Sequence, residues 1–332
     1  VKVLSVRNGH EALAAGVNLL RSCGQYRTSR NGEVVLAPGP VTTVYSCPIE
    51  RVIFWPERDA NPFFHLYEAL WMLSGRDDLA PLLSYVKQMR EYSDDGVTLH
   101  GAYGKRWRAH FGLDQLSRIA WRLRHNPDDR RSVLQMWDAA NDLDRARWGK
   151  DVPCNLTATL QRDIAGRLDM VVFCRSNDIV WGAYGANLVH FSMMQEYVAC
   201  LIGCEVGTYT QVSVNYHAYT KTIANLWDLS LRDPNPYEHL VRPTPMKDEL
   251  HLSIHSLCRE AIYGPHSDQP VPRGAEVFRA TLDAHRRYRV GDPIDDIVSS
   301  LRTHEKADWC RASIEWLERR RKYHFQETRS TL

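Results

Sequence analysis

Nowhere in the 332 residues is there an apolar run of the roughly 18 residues needed to cross a bilayer, so no membrane-spanning helix is expected. No internal repeat or low-complexity tract is visible, which excludes solenoids and arrays. Neither sign of charge is in excess. Lys and Arg number 42 against 40 Asp and Glu, and the net charge of +2 directs the chain neither to nucleic acid nor to an anionic membrane. The one basic cluster, Arg319-Arg320-Arg321-Lys322, reads as a solvated helix face. A GxGxxG pattern is missing, so no Rossmann nucleotide unit is indicated. The cysteines at 23, 47, 154, 174, 200, 204, 258 and 310 are scattered, and Val1-Lys2-Val3-Leu4-Ser5 has no charged-then-apolar signal pattern. Reduced thiols in a cytoplasmic protein are the expectation. Cys200 with Cys204, and His251 with His255, have helical spacing but lack the partners of a zinc site, so no metal is expected.

What remains is an ordinary globular composition, 44% hydrophobic and 25% charged, long enough for one large domain or two small ones. "NPFFHLYEALWML" (61–73) reads as a buried helix holding a single carboxylate, Glu68. "RSVLQMWD" (131–138), "RLDMVVFCRSND" (167–178) and the alternating "GTYTQVSVNYHAY" (207–219) read as strands. "LVHFSMMQEYVACLIG" (188–203) has helical length and ends on a capping Gly203. Interspersed strands and helices predict a mixed α/β or α+β domain over 1–232. Residues 233–332, irregular and then helical and charged, predict an extension packed on that domain.

Five groups of residues could carry chemistry. Cys154 in "DVPCNLTATLQ" is either a buried filler thiol or a nucleophile, which needs cations nearby to become a thiolate. Glu68 either faces water or works as an acid/base inside an apolar helix. Arg30, Arg130, Arg131 and Arg175, the last followed by Ser176, are surface ion-pair formers or the forks a phosphate monoester requires. "WGAYGAN" (181–187) lets backbone approach a ligand closely. His217 and Tyr219 share one strand face, as a satisfied core pair or as ligand contacts.

Taken in order along the chain, "HLYEALWMLSG", "AYGKRWR", "DRRSVLQMW", "VPCN", "RSND" with the Gly-rich segment after it, and "NYHAY" resemble the thymidylate synthase superfamily, which includes the pyrimidine nucleotide hydroxymethylases. The resemblance covers roughly residues 25–225. It implies a mixed twisted sheet with flanking helices, and Cys154 as the thiol that adds to C6 of a pyrimidine. It implies Glu68 as the carboxylate organising water and protons around the base, and Tyr103 as the aid to proton removal from C5. Arg30, Arg175 and Ser176 become phosphate ligands, and His217 with Tyr219 the sugar-hydroxyl pair. Asp178 joins the folate and water network. Arg130 and Arg131 would reach the phosphate of the other subunit, which implies a homodimer with shared sites. The implied substrate is a pyrimidine nucleoside monophosphate, and the implied one-carbon donor is 5,10-methylenetetrahydrofolate. Arginines near the phosphate would also make Cys154 anionic at neutral pH.

The chain departs from the synthase pattern where the last step is decided. Asn155 follows the nucleophile in place of histidine. The stretch "YVKQMREYSDDG" (85–96) has no tryptophan, with Met89 and Tyr92 where synthases carry two. The C-terminal "RKYHFQETRSTL" has no match to the tail that closes over folate. All three point to water, not hydride, as the final reactant, and so to a hydroxymethyl product. The base-reading asparagine falls on Ala186 by an ungapped count and on Asn187 if one residue is inserted. On the resulting donor and acceptor argument the expected base is cytosine, in CMP or dCMP. The alternatives are a dUMP-acting synthase or hydroxymethylase, a non-catalytic nucleotide- or RNA-binding relative, and a cysteine hydrolase pairing Cys154 with His217.

Overall fold

Half-buried and buried positions alternate from Val206 to Ser213 in the longest strand, Val206–Tyr219, and the sheet assembles on its two edges. The computed structural model describes residues 1–145, 149–246, 250–264 and 274–330, with side chains as far as Arg321, Leu250 excepted. Among the described residues the strands are β1 (Lys2–Val6), β2 (Gln25–Ser29), β3 (Gly32–Leu36), β4 (Val41–Tyr45), β5 (Val133–Gln135), β6 (Asn155–Arg162), β7 (Leu168–Asp178) and β8 (Val206–Tyr219). Their order is β1-β4-β8-β7-β6-β5, with the β2–β3 hairpin on the remaining length of the β8 edge. The β1–β4 and β7–β8 pairs are parallel and the others antiparallel. The sheet is mixed, as expected, but β5 is shorter than the strand expected over 131–138. Met136 and Trp137 both direct their N–H groups to the Leu156 carbonyl, and Asp138 turns away to cap a short helix.

The principal helices are α1 (Gly9–Cys23), α2 (Pro62–Leu73), α3 (Gln115–His125), α4 (Asn187–Ile202), α5 (Ile254–Tyr263), α6 (Glu276–Val290), α7 (Ile294–Leu301) and α8 (Asp308–Ser330). Asn61 caps α2 through its side chain, and Pro62 fills the first turn. Asn187 through Ala199 are all buried, so α4 is an interior helix lying between the sheet and α2. Gly203 ends it at φ 81°, as expected from the sequence. The turn carrying Tyr103 is pressed onto α2, where a side chain at Gly104 would meet the Met72 carbonyl at 2.1 Å. Only glycine allows that approach.

Helices α5, α6 and α8 pack on α2. Leu257, Phe278 and Trp309 join the main core, while Phe63 of α2 anchors a second cluster with Ile297, Leu301 and Leu317. Arg319 and Arg320, read above as a solvated face, instead bond Asp59, two residues before α2 is capped. Asp308 at the start of α8 is fully buried. It accepts from the Tyr237 hydroxyl at 3.0 Å, the Thr244 hydroxyl at 2.7 Å and the backbone of Thr244 and Trp309. Burial pushes its carboxyl from 3.8 up to about 6. The folded chain therefore holds this proton more tightly than the unfolded chain. The contribution is complete below the unfolded value and is lost as pH rises through about 6. A rise of about two units is worth up to ~3 kcal/mol. Urea unfolding from pH 4 to 7 should show this decline in the wild type and a flatter profile in Asp308→Asn. Parallel profiles would exclude Asp308 as the cause.

Candidate active site

Cys154 sits in the bend that leads into β6. Its N–H and that of Asn155 both donate to the Tyr103 hydroxyl, each at 3.0 Å, and its carbonyl accepts from the Arg175 N–H at 2.8 Å. The Arg175 guanidinium donates to the carbonyls of Pro153 at 2.9 Å and Val152 at 3.2 Å. It thus braces the loop before the nucleophile. Burial raises the Cys154 thiol, and Arg175 lowers it by less. Burial outweighs Arg175, whose guanidinium is turned toward two carbonyls, so within this chain the thiol is raised where the sequence led us to expect it lowered. Alkylation of Cys154 by iodoacetamide should accelerate only above the ordinary thiol range, and Arg175→Ala should slow it further at fixed pH, by up to about tenfold. A thiolate plateau below pH 7 would contradict this. Burial likewise keeps the Tyr103 phenol protonated well above its ordinary value.

Glu68 is buried on α2, with Oε2 3.1 Å from Nε2 of His190 on α4. The two atoms are not aligned as a hydrogen bond. Next to them His65 is held neutral, its value lowered to about 3 by burial and by Arg58 and His190. His190 was missed in the sequence. Its signal was its place one helical turn after Asn187, which puts both on one face of α4.

Asn187, not Ala186, reaches the residue that follows Cys154. Asn155 Nδ2 donates to Asn187 Oδ1 at 3.0 Å. Asn187 follows the π-type turn Ile179–Ala186, where Tyr184 and Gly185 leave helical geometry and the Asn187 N–H bonds the Gly182 carbonyl five residues back. Ala186 lies in the same turn, half-buried and with no polar group to offer.

Parallel pairing sets Ser176 beside Asn215 and Asp178 beside His217. Ser176, His217 and Tyr219 line a hollow of about 450 Å³ together with Arg27 and Arg30. His217 is buried with Nδ1 unpartnered among the described residues, and its ring meets Tyr219 edge-on. Arg30, Asn31 and Tyr219 also line a second cleft of about 840 Å³, which adds Asp178, Tyr92, Trp181, Lys150 and Lys221. Asp178 accepts from the N–H groups of Val180, Trp181 and Tyr219, which fixes its carboxylate at the rim. Tyr92 and Trp181 stand 51% and 56% exposed, large aromatic surfaces available to a flat ligand. Met89 packs against the core and does not line this cleft. Trp181 was overlooked because tryptophan was sought only in 85–96. Buried Arg58 stacks on its ring at 4.4 Å and donates to the Val180 carbonyl at 2.8 Å.

Arg130 and Arg131 are exposed and remain apart from these groups. The Ser132 carbonyl accepts from Leu160, six residues along the chain from Cys154, which puts the pair about 20 Å from their own nucleophile. No helix among the described residues is long and apolar enough to cross a membrane, and no group of three metal-ligating side chains converges among them.

The family model described as Thymidylate synthase matches residues 57–254. A deoxyuridylate hydroxymethyltransferase of Pseudomonas phage M6 is 45% identical, over 97% of this chain and 95% of that protein. A second deoxyuridylate hydroxymethyltransferase, of Bacillus phage SP01, is 36% identical over 62% of this chain and 59% of its own length. The crystal structure of thymidylate synthase from T4 phage shares the fold, with a TM-score of 0.54 and 19% identity over 67% of this chain and 81% of that one. Both hydroxymethyltransferases are named for deoxyuridylate, which runs against the cytidylate expected from the sequence. The family consists of one-carbon transferases that use 5,10-methylenetetrahydrofolate. On a match spanning more than half its length, the chain belongs to the thymidylate synthase family.

Proposed function

We propose that this enzyme hydroxymethylates C5 of deoxyuridylate. The base assignment rests on the two hydroxymethyltransferases named for deoxyuridylate, and the Asn187 amide is compatible with it. An amide set beside Asn155 offers one donor and one acceptor, the complement of O4 and N3–H of uracil. The lean to cytidylate rested on that asparagine being lost or shifted, and the bond from Asn155 to Asn187 removes its basis.

In this reading the phosphate lies in the hollow with Arg27, Arg30 and Ser176, and the sugar hydroxyl faces His217 and Tyr219. The phosphate dianion would not itself lower the Cys154 pKa; proton loss from the thiol accompanies its addition to C6, which makes C5 nucleophilic. Tyr103, held beside Cys154 by two N–H donors, and Glu68 with His190 handle the protons at C5 and O4. When bound, 5,10-methylenetetrahydrofolate supplies a one-carbon unit at the oxidation level of formaldehyde. The larger cleft suits it. Tyr92 and Trp181 offer faces to its flat ring, and Lys150 and Lys221 offer charge to its carboxylates. Asn155 Oδ1 is buried without a partner among the described residues, and a water donating to it would stand next to the nucleophile. C5 would bond that one-carbon unit, lose its proton and be left with an exocyclic methylene as the folate amine departs; addition of the water, with loss of its proton, and expulsion of Cys154 as thiolate then give the hydroxymethyl nucleotide.

The reading includes a homodimer. The outer sheet face of Val133, Phe173 and Val214 is 49%, 37% and 54% exposed, a patch suited to a second copy. Arg130 and Arg131, too far from their own Cys154, would serve the site across that interface. Release of the C5 proton tests the base: with enzyme and folate, dUMP should lose it on the order of 10²-fold faster than dCMP. Equal or reversed rates would overturn the assignment.

A further inference from the structure

Asn187 is the middle of a longer chain of side chains. Its Oδ1 accepts from Asn155 Nδ2 at 3.0 Å, its Nδ2 donates to Asn177 Oδ1 at 3.0 Å, and Asn177 Nδ2 donates to the Ser213 hydroxyl at 2.9 Å. The four residues come from β6, α4, β7 and β8, and none is more than 8% exposed. Gly182 closes the chain from above. A Cβ there would come 2.7 Å from Asn177 Oδ1 and 3.3 Å from Asn187 Nδ2. Water has little room to replace these bonds.

We infer that Asn155 and Asn177 act as specificity-determining positioning residues, coupling the orientation of the Asn187 amide to their own and thereby choosing the pyrimidine. The inference rests on the reading of Asn187 as the base-recognition residue. After its two internal bonds, Asn187 keeps one N–H and one lone pair. Uracil and cytosine present opposite patterns at position 4 and N3, so each requires the opposite orientation of the same amide. Turning Asn187 alone would set its NH2 against the NH2 of Asn155 and its oxygen against the oxygen of Asn177. Both contacts are buried and would leave polar groups unpaired. The three amides therefore turn together. The Ser213 hydroxyl, able to donate or accept, is the one link compatible with either sense.

A carboxylate accepts only, which gives opposite predictions for two substitutions of the same size and charge. Asn177→Asp still accepts from Asn187 Nδ2, with Ser213 donating, so it retains the uracil sense. Asn155→Asp can pair only with the Asn187 NH2, which reverses the relay and favours cytosine. The experiment is binding of dUMP and dCMP to each purified variant, with the dUMP to dCMP affinity ratio as readout. Asn177→Asp should hold or raise the wild-type ratio, and Asn155→Asp should lower it about tenfold. Asn177→Leu, which removes the acceptor that orients the Asn187 amide and adds no charge, should lower the ratio even if either carboxylate variant fails to fold. A general structural or electrostatic effect would change both affinities alike and leave all ratios at the wild-type value, which would overturn the relay. A wild type that prefers dCMP would instead overturn the deoxyuridylate reading on which it stands.

Discussion

Replacement of Cys154 by serine should remove turnover, by roughly 10⁴-fold or more, with nucleotide affinity nearly unchanged. The serine keeps the bend at residue 154, because the two N–H bonds to Tyr103 and the Arg175 bond use only backbone atoms of Cys154. The phosphate and sugar contacts proposed for Arg30, Ser176, His217 and Tyr219 are untouched. What is lost is the group that adds to C6, and without that addition C5 has no nucleophilic character. Loss of binding together with turnover would make Cys154 a packing residue, and retained turnover would remove covalent catalysis from the account.

Mixing two inactive proteins should restore activity. Arg130→Ala should weaken nucleotide binding severely, because the arginine would act on the phosphate of the partner. In a one-to-one mixture with Cys154→Ser, half the dimers are mixed, and each contains one site with both its cysteine and its arginine intact. The expected activity is about a quarter of wild type. If each subunit used its own Arg130, no mixed dimer would contain an intact site and the mixture would stay inactive. The distance of about 20 Å between these arginines and their own Cys154 favours the first result.

Much of this was legible in the sequence where local patterns coincide with tertiary roles. Alternation located β8, a segment rich in Val, Leu and aromatics located β7, and the glycine after an apolar run located the end of α4. Glu68 could be singled out because it breaks an apolar pattern, whereas Cys154 and Tyr103 stood out through the ordered motifs around them. The residues missed are those whose roles depend on convergence. His190 looks like one polar residue in an apolar helix until α2 brings Glu68 to it. Asn177 and Ser213 look like ordinary strand residues until β7 and β8 align them under α4. Counting along the chain left both Ala186 and Asn187 open, and only the π-type turn before α4 shows Asn187 brought to Asn155. Charge alone also misread Arg319 and Arg320, whose partner Asp59 is 260 residues distant along the chain from Arg319.

The central claim is that water, not hydride, completes transfer to deoxyuridylate. The direct measurement is the mass of the nucleotide recovered after incubation of the enzyme with 5,10-methylenetetrahydrofolate and, separately, dUMP, UMP, dCMP and CMP. The account predicts a gain of CH2O on dUMP, with tetrahydrofolate as the other product. A gain of CH2 on dUMP, with dihydrofolate formed, would contradict it, as would a gain confined to a cytosine nucleotide.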